Sequence, residues 1–139
     1  MNLIIADTGA LYAMADGDDA WHEKMINYIS NNKRVMLLVS SSVMVETVYL
    51  INKYLGVNAE QKFVQSIVDG ELKYENILIQ DLKRSNELIK QYTDINIGFV
   101  DASTISIAER LNINHILTTD RRHFSTIKPK KISSLVLLP

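Results

Sequence analysis

Four of the 16 acidic residues stand where a solvated surface charge is not the first explanation. Asp7 and Asp120 each follow a short apolar run, and Asp101 follows an apolar triplet where a helix is expected to begin. Glu46 lies in the apolar segment 42–50, where a carboxylate is predicted to be buried. Helix capping, turn initiation or a place on a helix surface would each explain one acid, so none indicates a site alone.

A cation would be needed if the fold brought these carboxylates together. Two like charges ~5 Å apart repel by roughly 3 kcal/mol at an effective dielectric constant of ~20. The chain has no cysteine, and its three histidines, His22, His115 and His123, share no metal-ligand spacing. All-oxygen ligation therefore favours Mg²⁺ or Mn²⁺ over a structural zinc, and such ions act most often on phosphates.

The elements that must position these acids follow an alternating pattern. Near-continuous apolar runs predict strands buried on both faces at residues 3–6, 35–39, 77–79, 115–118 and 135–138. Apolar spacing and capping residues predict helices at residues 20–29, 42–55, 59–68, 82–92 and 102–111. This order predicts an α/β fold, a three-layer α/β/α sandwich with a mostly parallel central sheet. Ligands of such folds gather at the carboxyl ends of the strands, where Asp7 and Asp120 would meet.

Length and composition indicate one domain, residues 1–139. Hydrophobic residues make up 47% of the chain and charged residues 22%, which is typical of a globular protein rather than a disordered or membrane protein. Without cysteine there is no disulfide framework and no thiolate nucleophile. The first apolar run ends at Asp7, too early for a signal peptide or a membrane span, so we expect a cytoplasmic protein.

The charge is polarised along the chain, although the net charge is only −1. Residues 121–131 contain five basic and no acidic residues, which leaves 10 basic and 16 acidic residues, a net charge of −6, in the other 128. Arg121 and Arg122 directly follow Asp120, where they are candidates for contacts with phosphate. A solvated turn explains them equally well.

The order of these motifs resembles the PIN-domain family, of the kind found in VapC-like toxins of bacterial and archaeal toxin–antitoxin pairs. The resemblance covers nearly the whole chain, from residues 5–11 (IADTGAL) through Glu46 to residues 98–103 (GFVDAS), 118–124 (TTDRRHF) and 137–139 (LLP).

The resemblance implies specific roles for these residues. Asp7, Glu46, Asp101 and Asp120 would be the metal-binding and catalytic acids of a Mg²⁺- or Mn²⁺-dependent endoribonuclease. It also implies a cognate antitoxin protein as partner and RNA as substrate.

Three further residues are assigned supporting roles. Thr118 would be the short polar helper near the last acid, with Thr8 beside the first. Asp94 lies seven residues before Asp101 and is interpreted as a more distant supporting residue, with a surface charge as the alternative. Some family members carry another acid where this chain has His123, so a fifth carboxylate is in question.

Two other functions stay open. One is a receiver-like signalling module in which an acidic cluster binds Mg²⁺, although Asp7 is followed by Thr8 and Gly9 rather than by a second acid. The other is a PIN fold that serves as a scaffold without catalysis. A homodimer also stays open, and Trp21 and Tyr28 are interpreted as helix-packing residues rather than a base-stacking platform.

Overall fold

The computed structural model describes residues 2–139, and its central feature is one five-stranded, all-parallel sheet. The strands are β1 (Asn2–Ala6), β2 (Val35–Ser40), β3 (Lys73–Glu75), β4 (His115–Leu117) and β5 (Val136–Leu138). Their order across the sheet is β3-β2-β1-β4-β5, so β1 occupies the centre. The direction in which the chain winds reverses at β1, and α/β proteins bind ligands at such a point.

Seven α-helices connect the strands within residues 2–139 and cover the sheet. They are α1 (Thr8–Ala15), α2 (His22–Asn31), α3 (Ser41–Leu55), α4 (Val57–Val68), α5 (Ile79–Gln91), α6 (Phe99–Leu111) and α7 (Arg122–Thr126). A 3₁₀ helix, Thr93–Ile95, precedes α6. No helix in these residues is both long and apolar enough to cross a membrane.

Alternating side chains of the strands build two separate cores, one on each face of the sheet. Ile4 and Leu37 pack with buried residues of α1, α2 and α3. Ile5 and Leu38 point to the opposite face and pack with α5, α6 and α7. The predicted three-layer sandwich is therefore confirmed.

The register of the sheet brings the ends of β1 and β4 together. Ala6 pairs with Leu117, and the backbone N–H of Asp7 donates to the carbonyl oxygen of Leu117 at 2.9 Å. The residues that follow the two strands, Asp7 and the segment 118–120, consequently emerge side by side.

One predicted strand was wrong. Residues 77–79 precede and begin α5, where Ile77 packs against the α5–α6 core and Ile79 is exposed. The actual strand is β3, which lies at the edge of the sheet and pairs with β2. Because β3 is a short edge strand with a largely exposed sequence, it carries no apolar run that could have revealed it.

Helix starts also differ from the prediction. The sequence placed α5 and α6 after Asp81 and Asp101, but both helices begin earlier and contain these residues in their first turns. Aspartate is favoured both as a cap and in the first turn, because either position faces the positive end of the helix dipole. Similarly, α4 begins directly after Gly56, which has a φ of 95°, rather than after Asn58.

Candidate active site

The four candidate acids, Asp7, Glu46, Asp101 and Asp120, line one cavity of about 550 Å³ at the carboxyl ends of β1 and β4. They arrive from four places in the fold: the end of β1, the middle of α3, the first turn of α6 and the segment after β4. The other lining residues are Thr8, Gly9, Tyr12, Asp19, Trp21, Leu50, Gly98, Phe99, Val100 and Thr119.

Asp7 is the most deeply placed of the acids, with 6% of its surface exposed. One carboxylate oxygen accepts from the backbone N–H of Thr8 at 2.8 Å and so caps α1, as the simpler interpretation predicted. The other oxygen accepts from the Thr118 hydroxyl at 3.0 Å. Burial, with repulsion from Asp101, outweighs these bonds and raises the pKa of Asp7 to about 6.

Asp101 is joined to a histidine. Nδ1 of His123 lies 2.9 Å from an Asp101 carboxylate oxygen, which links α7 to the first turn of α6. Burial raises the pKa of Asp101, whereas the His123 contact opposes that rise. His123 therefore supports the acid at the place where some relatives were expected to supply a fifth carboxylate.

Glu46 is exposed, which corrects the prediction of a buried carboxylate. The helix α3 is capped by Ser40, whose hydroxyl accepts from the Val43 N–H at 3.2 Å, and it buries Val43 and Thr47. Glu46 projects from the other face, at the wall of the cavity. The apolar segment misled the prediction because part of its apolar surface, including Val45, is itself exposed.

Thr118 connects the two strand-end acids. Its buried hydroxyl donates to Asp7 and accepts from the backbone N–H of Asp120 at 3.0 Å. The Asp120 carboxylate accepts from the backbone N–H of Arg122 at 3.1 Å, as in a turn-initiating aspartate. A single hydroxyl thus holds one acid and the backbone of another.

Thr8 and Gly9 line the cavity at the start of α1. Within residues 2–139, the buried Thr8 hydroxyl has no hydrogen-bond partner, which is uncommon for a buried polar group. At Gly9 a Cβ atom would lie 2.2 Å from Oγ1 of Thr119, so a side chain there would require the Thr119 hydroxyl to move.

The remaining predicted residues lie outside this lining. Asp94 is exposed on the 3₁₀ helix. Arg121 and Arg122 are exposed next to Asp120; Arg121 donates to the carbonyl oxygen of Pro139, and Nε of Arg122 lies 3.5 Å from the Asp120 carboxylate.

Sequence reasoning did not assign Asp19, Trp21 and Phe99, among other lining residues, to the site. Phe99 had a usable signal, since it stands two residues before Asp101 at the start of a helix. Asp19 and Trp21 had none, because they reach the cavity on the link between α1 and α2. Trp21 also packs against the α1–α3 core, as predicted, and so does Tyr28.

The donor set fits Mg²⁺ or Mn²⁺ in type, because it consists of carboxylate and hydroxyl oxygens. Its charges interact: Asp101 and Glu46 raise the pKa of Asp7, and Asp120 contributes to the raised pKa of Asp101. Within residues 2–139, no three Asp, Glu or His side chains converge closely enough to hold an ion unaided. Mg²⁺ commonly uses only one or two carboxylates together with water and phosphate oxygens, and an open site of that kind fits this arrangement.

This fold with acids at the strand ends defines a class of protein. The chain belongs to the PIN-domain family, whose sequence profile matches residues 4–128. It is similar to ribonuclease VapC26 of Mycobacterium tuberculosis, with 32% identity over 126 residues that cover 91% of this chain and 93% of that protein. The predicted resemblance to VapC-like PIN proteins is confirmed.

Solved structures share the fold. VapC20 of Mycobacterium tuberculosis, a sarcin-ricin loop cleaving toxin, superimposes with a TM-score of 0.81 and 20% identity, covering 94% of this chain and 98% of that one. VapBC2 of Rickettsia felis, bound to a DNA fragment from its promoter, gives a TM-score of 0.67 at 18% identity, covering 97% and 96%. The strand order also differs from the 2-1-3-4-5 order of receiver-like folds, so that alternative is not supported.

Proposed function

We propose that this protein is a metal-dependent endoribonuclease, a hydrolase of RNA phosphodiester bonds that acts as the toxin of a toxin–antitoxin pair. Membership of the PIN family and similarity to a protein named ribonuclease support the reaction. The observation that carries the proposal is the meeting of Asp7, Glu46, Asp101 and Asp120 in one cavity. A scaffold without catalysis would have no use for charges that repel one another in this way.

Asp7, Asp101 and Asp120 are proposed to hold Mg²⁺ or Mn²⁺, with Glu46 as a further ligand. A bound divalent ion supplies charge stabilisation at phosphoryl oxygens and makes water more acidic. Asp7 and Asp101 are prepared for this role, because burial has already removed much of their hydration and each is held by a neighbour.

Glu46 is proposed to orient the attacking water. Its carboxylate is exposed at the cavity wall, where it can accept a hydrogen bond from water. Thr118 positions Asp7 and the Asp120 backbone, and Thr8 supports the site through its backbone N–H, which donates to Asp7. Asp94 is proposed to act only from a distance.

The partners are proposed from the neighbours of the fold. Solved relatives include a toxin–antitoxin complex from Klebsiella pneumoniae and a DNA-bound VapBC from Salmonella typhimurium. We infer an antitoxin protein that binds this chain, a single domain over residues 1–139, and a cytoplasmic location. Arg121 and Arg122 are proposed to contact RNA phosphates, and a homodimer remains compatible with the fold.

The test is cleavage of a structured RNA by the purified protein. We expect cleavage with Mg²⁺ or Mn²⁺ and none after EDTA is added. Asp101→Asn keeps the shape of the side chain but removes its charge, so it should abolish cleavage while the protein stays folded by circular dichroism. Asp69→Asn changes an exposed aspartate at the end of α4 and is the matched control, which should cleave normally.

Cleavage that persists in EDTA and in Asp101→Asn would refute the proposed site. A second measurement, thermal melting, should show that Mn²⁺ stabilises the wild type and that Asp101→Asn reduces this shift. Cell growth should recover when the chain is expressed together with its antitoxin.

A further inference from the structure

Part of the cavity wall is formed by aromatic and apolar side chains rather than by carboxylates. Tyr12, Trp21 and Phe99 line the same space as the four acids. Carboxylates and bound ions account for recognition of a phosphate but not for this aromatic surface. An RNA phosphate in the cavity brings a nucleobase with it, and a base needs a flat apolar surface.

Tyr12 is already engaged within the protein. Its hydroxyl donates to the Asp16 carboxylate at 2.6 Å, a bond that raises the pKa of Tyr12 to about 12. Its ring also packs edge-on against Tyr54, with the centroids 6.2 Å apart. Tyr12 is therefore a structural part of the wall.

Trp21 is held in place but still accessible. Its backbone N–H donates to the Asp19 carboxylate at 2.8 Å, and part of its side chain packs on the α1–α3 core. Nζ of the exposed Lys24 lies 4.9 Å from the centroid of its rings. Because a solvent-exposed ammonium group reaches it, this face of the indole is open to other ligands as well.

We propose that Trp21 stacks on an unpaired nucleobase of the RNA whose phosphate lies at the carboxylates. This inference rests on the proposed ribonuclease function and deepens it, since it assigns the residue that would hold a base of the substrate. Lys24 leaves the ring when the base arrives and pairs with a neighbouring phosphate. Stacking of this kind tolerates different bases, because every base has a π-face.

Binding can be observed at Trp21 directly, since it is the only tryptophan in the chain. A short single-stranded RNA made uncleavable by 2′-O-methylation is the probe, titrated in Mg²⁺. We expect the fluorescence of Trp21 to be quenched as the RNA binds. The same RNA annealed to its complement should quench weakly, because its bases are already stacked and paired.

A base-deletion series locates the contact. Oligonucleotides that lack the base at one position in turn are compared with the intact RNA by the anisotropy of an end label. For the wild type, one position should weaken binding by about tenfold, the scale of one lost stack. Trp21→Leu should bind the intact RNA about tenfold more weakly, and deleting the base at the sensitive position should weaken its binding no further. Trp21→Phe keeps an aromatic ring, so deletion of that base should again weaken binding.

Phe99→Leu is the comparison variant, because Phe99 is an exposed aromatic residue of the same wall. If Phe99→Leu removes the dependence on the base and Trp21→Leu does not, the proposal is wrong. It is also wrong if the wild type binds and cuts RNA while the fluorescence stays unchanged and no base position couples to Trp21. Failure of the wild type to bind or cut any RNA would instead refute the proposed function.

Discussion

Asp7 is subject to opposing influences at the scale of a single residue. Burial and the neighbouring carboxylates favour its neutral form, whereas the bonds from Thr8 and Thr118 favour its charged form. The balance leaves its pKa at about 6, against 3.8 in the absence of these influences. At neutral pH the ionised Asp7 carboxylate therefore lowers the stability of the metal-free folded protein.

Asp7→Asn is expected to stabilise the metal-free protein at pH 7.5 and to have little effect near pH 4. The pKa of Asp7 is about 6 in the folded protein and 3.8 in the unfolded reference. The contribution of protonated Asp7 to the free energy of unfolding is therefore complete below pH 4 and is lost as the pH rises through about 6. A difference of two pKa units corresponds to roughly 3 kcal/mol. Urea unfolding in EDTA across this range measures it, and a mutant effect that does not vary with pH would contradict the prediction.

Residue types at strand ends were the predictable part of the site. Asp7 and Asp120 could be placed because parallel strands send their carboxyl ends to one edge. The position of Trp21 could not be predicted, because the path of the α1–α2 link depends on tertiary packing. The spacing of apolar residues along the sequence does not determine that path. The exposure of Glu46 was mispredicted for a related reason. Its apolar neighbours in the sequence do not bury it, because its side chain lies at the wall of the open cavity.

At the scale of elements, α5 and α6 are joined by two ion-pair groups. Nε of Arg84 lies 2.7 Å from the Glu109 carboxylate, and Nε of Arg110 lies 3.0 Å from that of Asp81. Glu109 and Asp81 are both buried. These pairs fix the orientation of α6, which carries Asp101 at its other end.

Arg84→Met should destabilise the fold by roughly 3 kcal/mol, because it leaves a buried Glu109 carboxylate without its cation. Glu87→Gln is the control, since Glu87 is about half exposed and pairs with the same arginine at 3.4 Å. That change should affect unfolding by less than about 1 kcal/mol.

Chemical denaturation of both variants makes the comparison. Replacing Glu109 by Leu in the Arg84→Met background should recover part of the loss, because the uncompensated charge is then removed. Equal effects of Arg84→Met and Glu87→Gln would show that the buried pair does not hold the helices together.

Elements with a strong apolar pattern were predicted well, and their ends less well. The central strands β1 and β2 carry long apolar runs because both of their faces are covered. The edge strand β3 is set by backbone pairing with β2, to which its side chains contribute little. The short α7 follows from packing of Phe124 into the core, which no local capping signal announces.

At the scale of the whole molecule, the charge polarity of the sequence becomes a surface feature. Arg121, Arg122, Lys128, Lys130 and Lys131 are exposed, and the first two lie beside the cavity residue Asp120. Arg121 and Arg122 thus place two positive charges next to the acidic cavity, whereas Lys130 lies at the far end of α6, where its backbone N–H donates to Glu109.

Replacing Arg121 and Arg122 by Ala should weaken RNA binding and flatten its salt dependence. Each lost phosphate contact lowers the slope of log K against log salt by about 0.7 for single-stranded RNA. Lys33→Ala is the control, because Lys33 is exposed between α2 and β2, at the opposite edge of the sheet. An unchanged slope in the double variant would assign these arginines to the turn alone.

The central position of β1 has a consequence for how the protein is made. β1 leaves the ribosome first, but one of its two neighbours, β4, follows more than a hundred residues later. The bond between Thr118 and Asp7 spans 111 residues, and Asp120 arrives later still. A nascent chain therefore carries Asp7 without its Thr118 partner until 111 more residues have been translated. If the chain cuts RNA, it cannot do so before Asp120 has been translated.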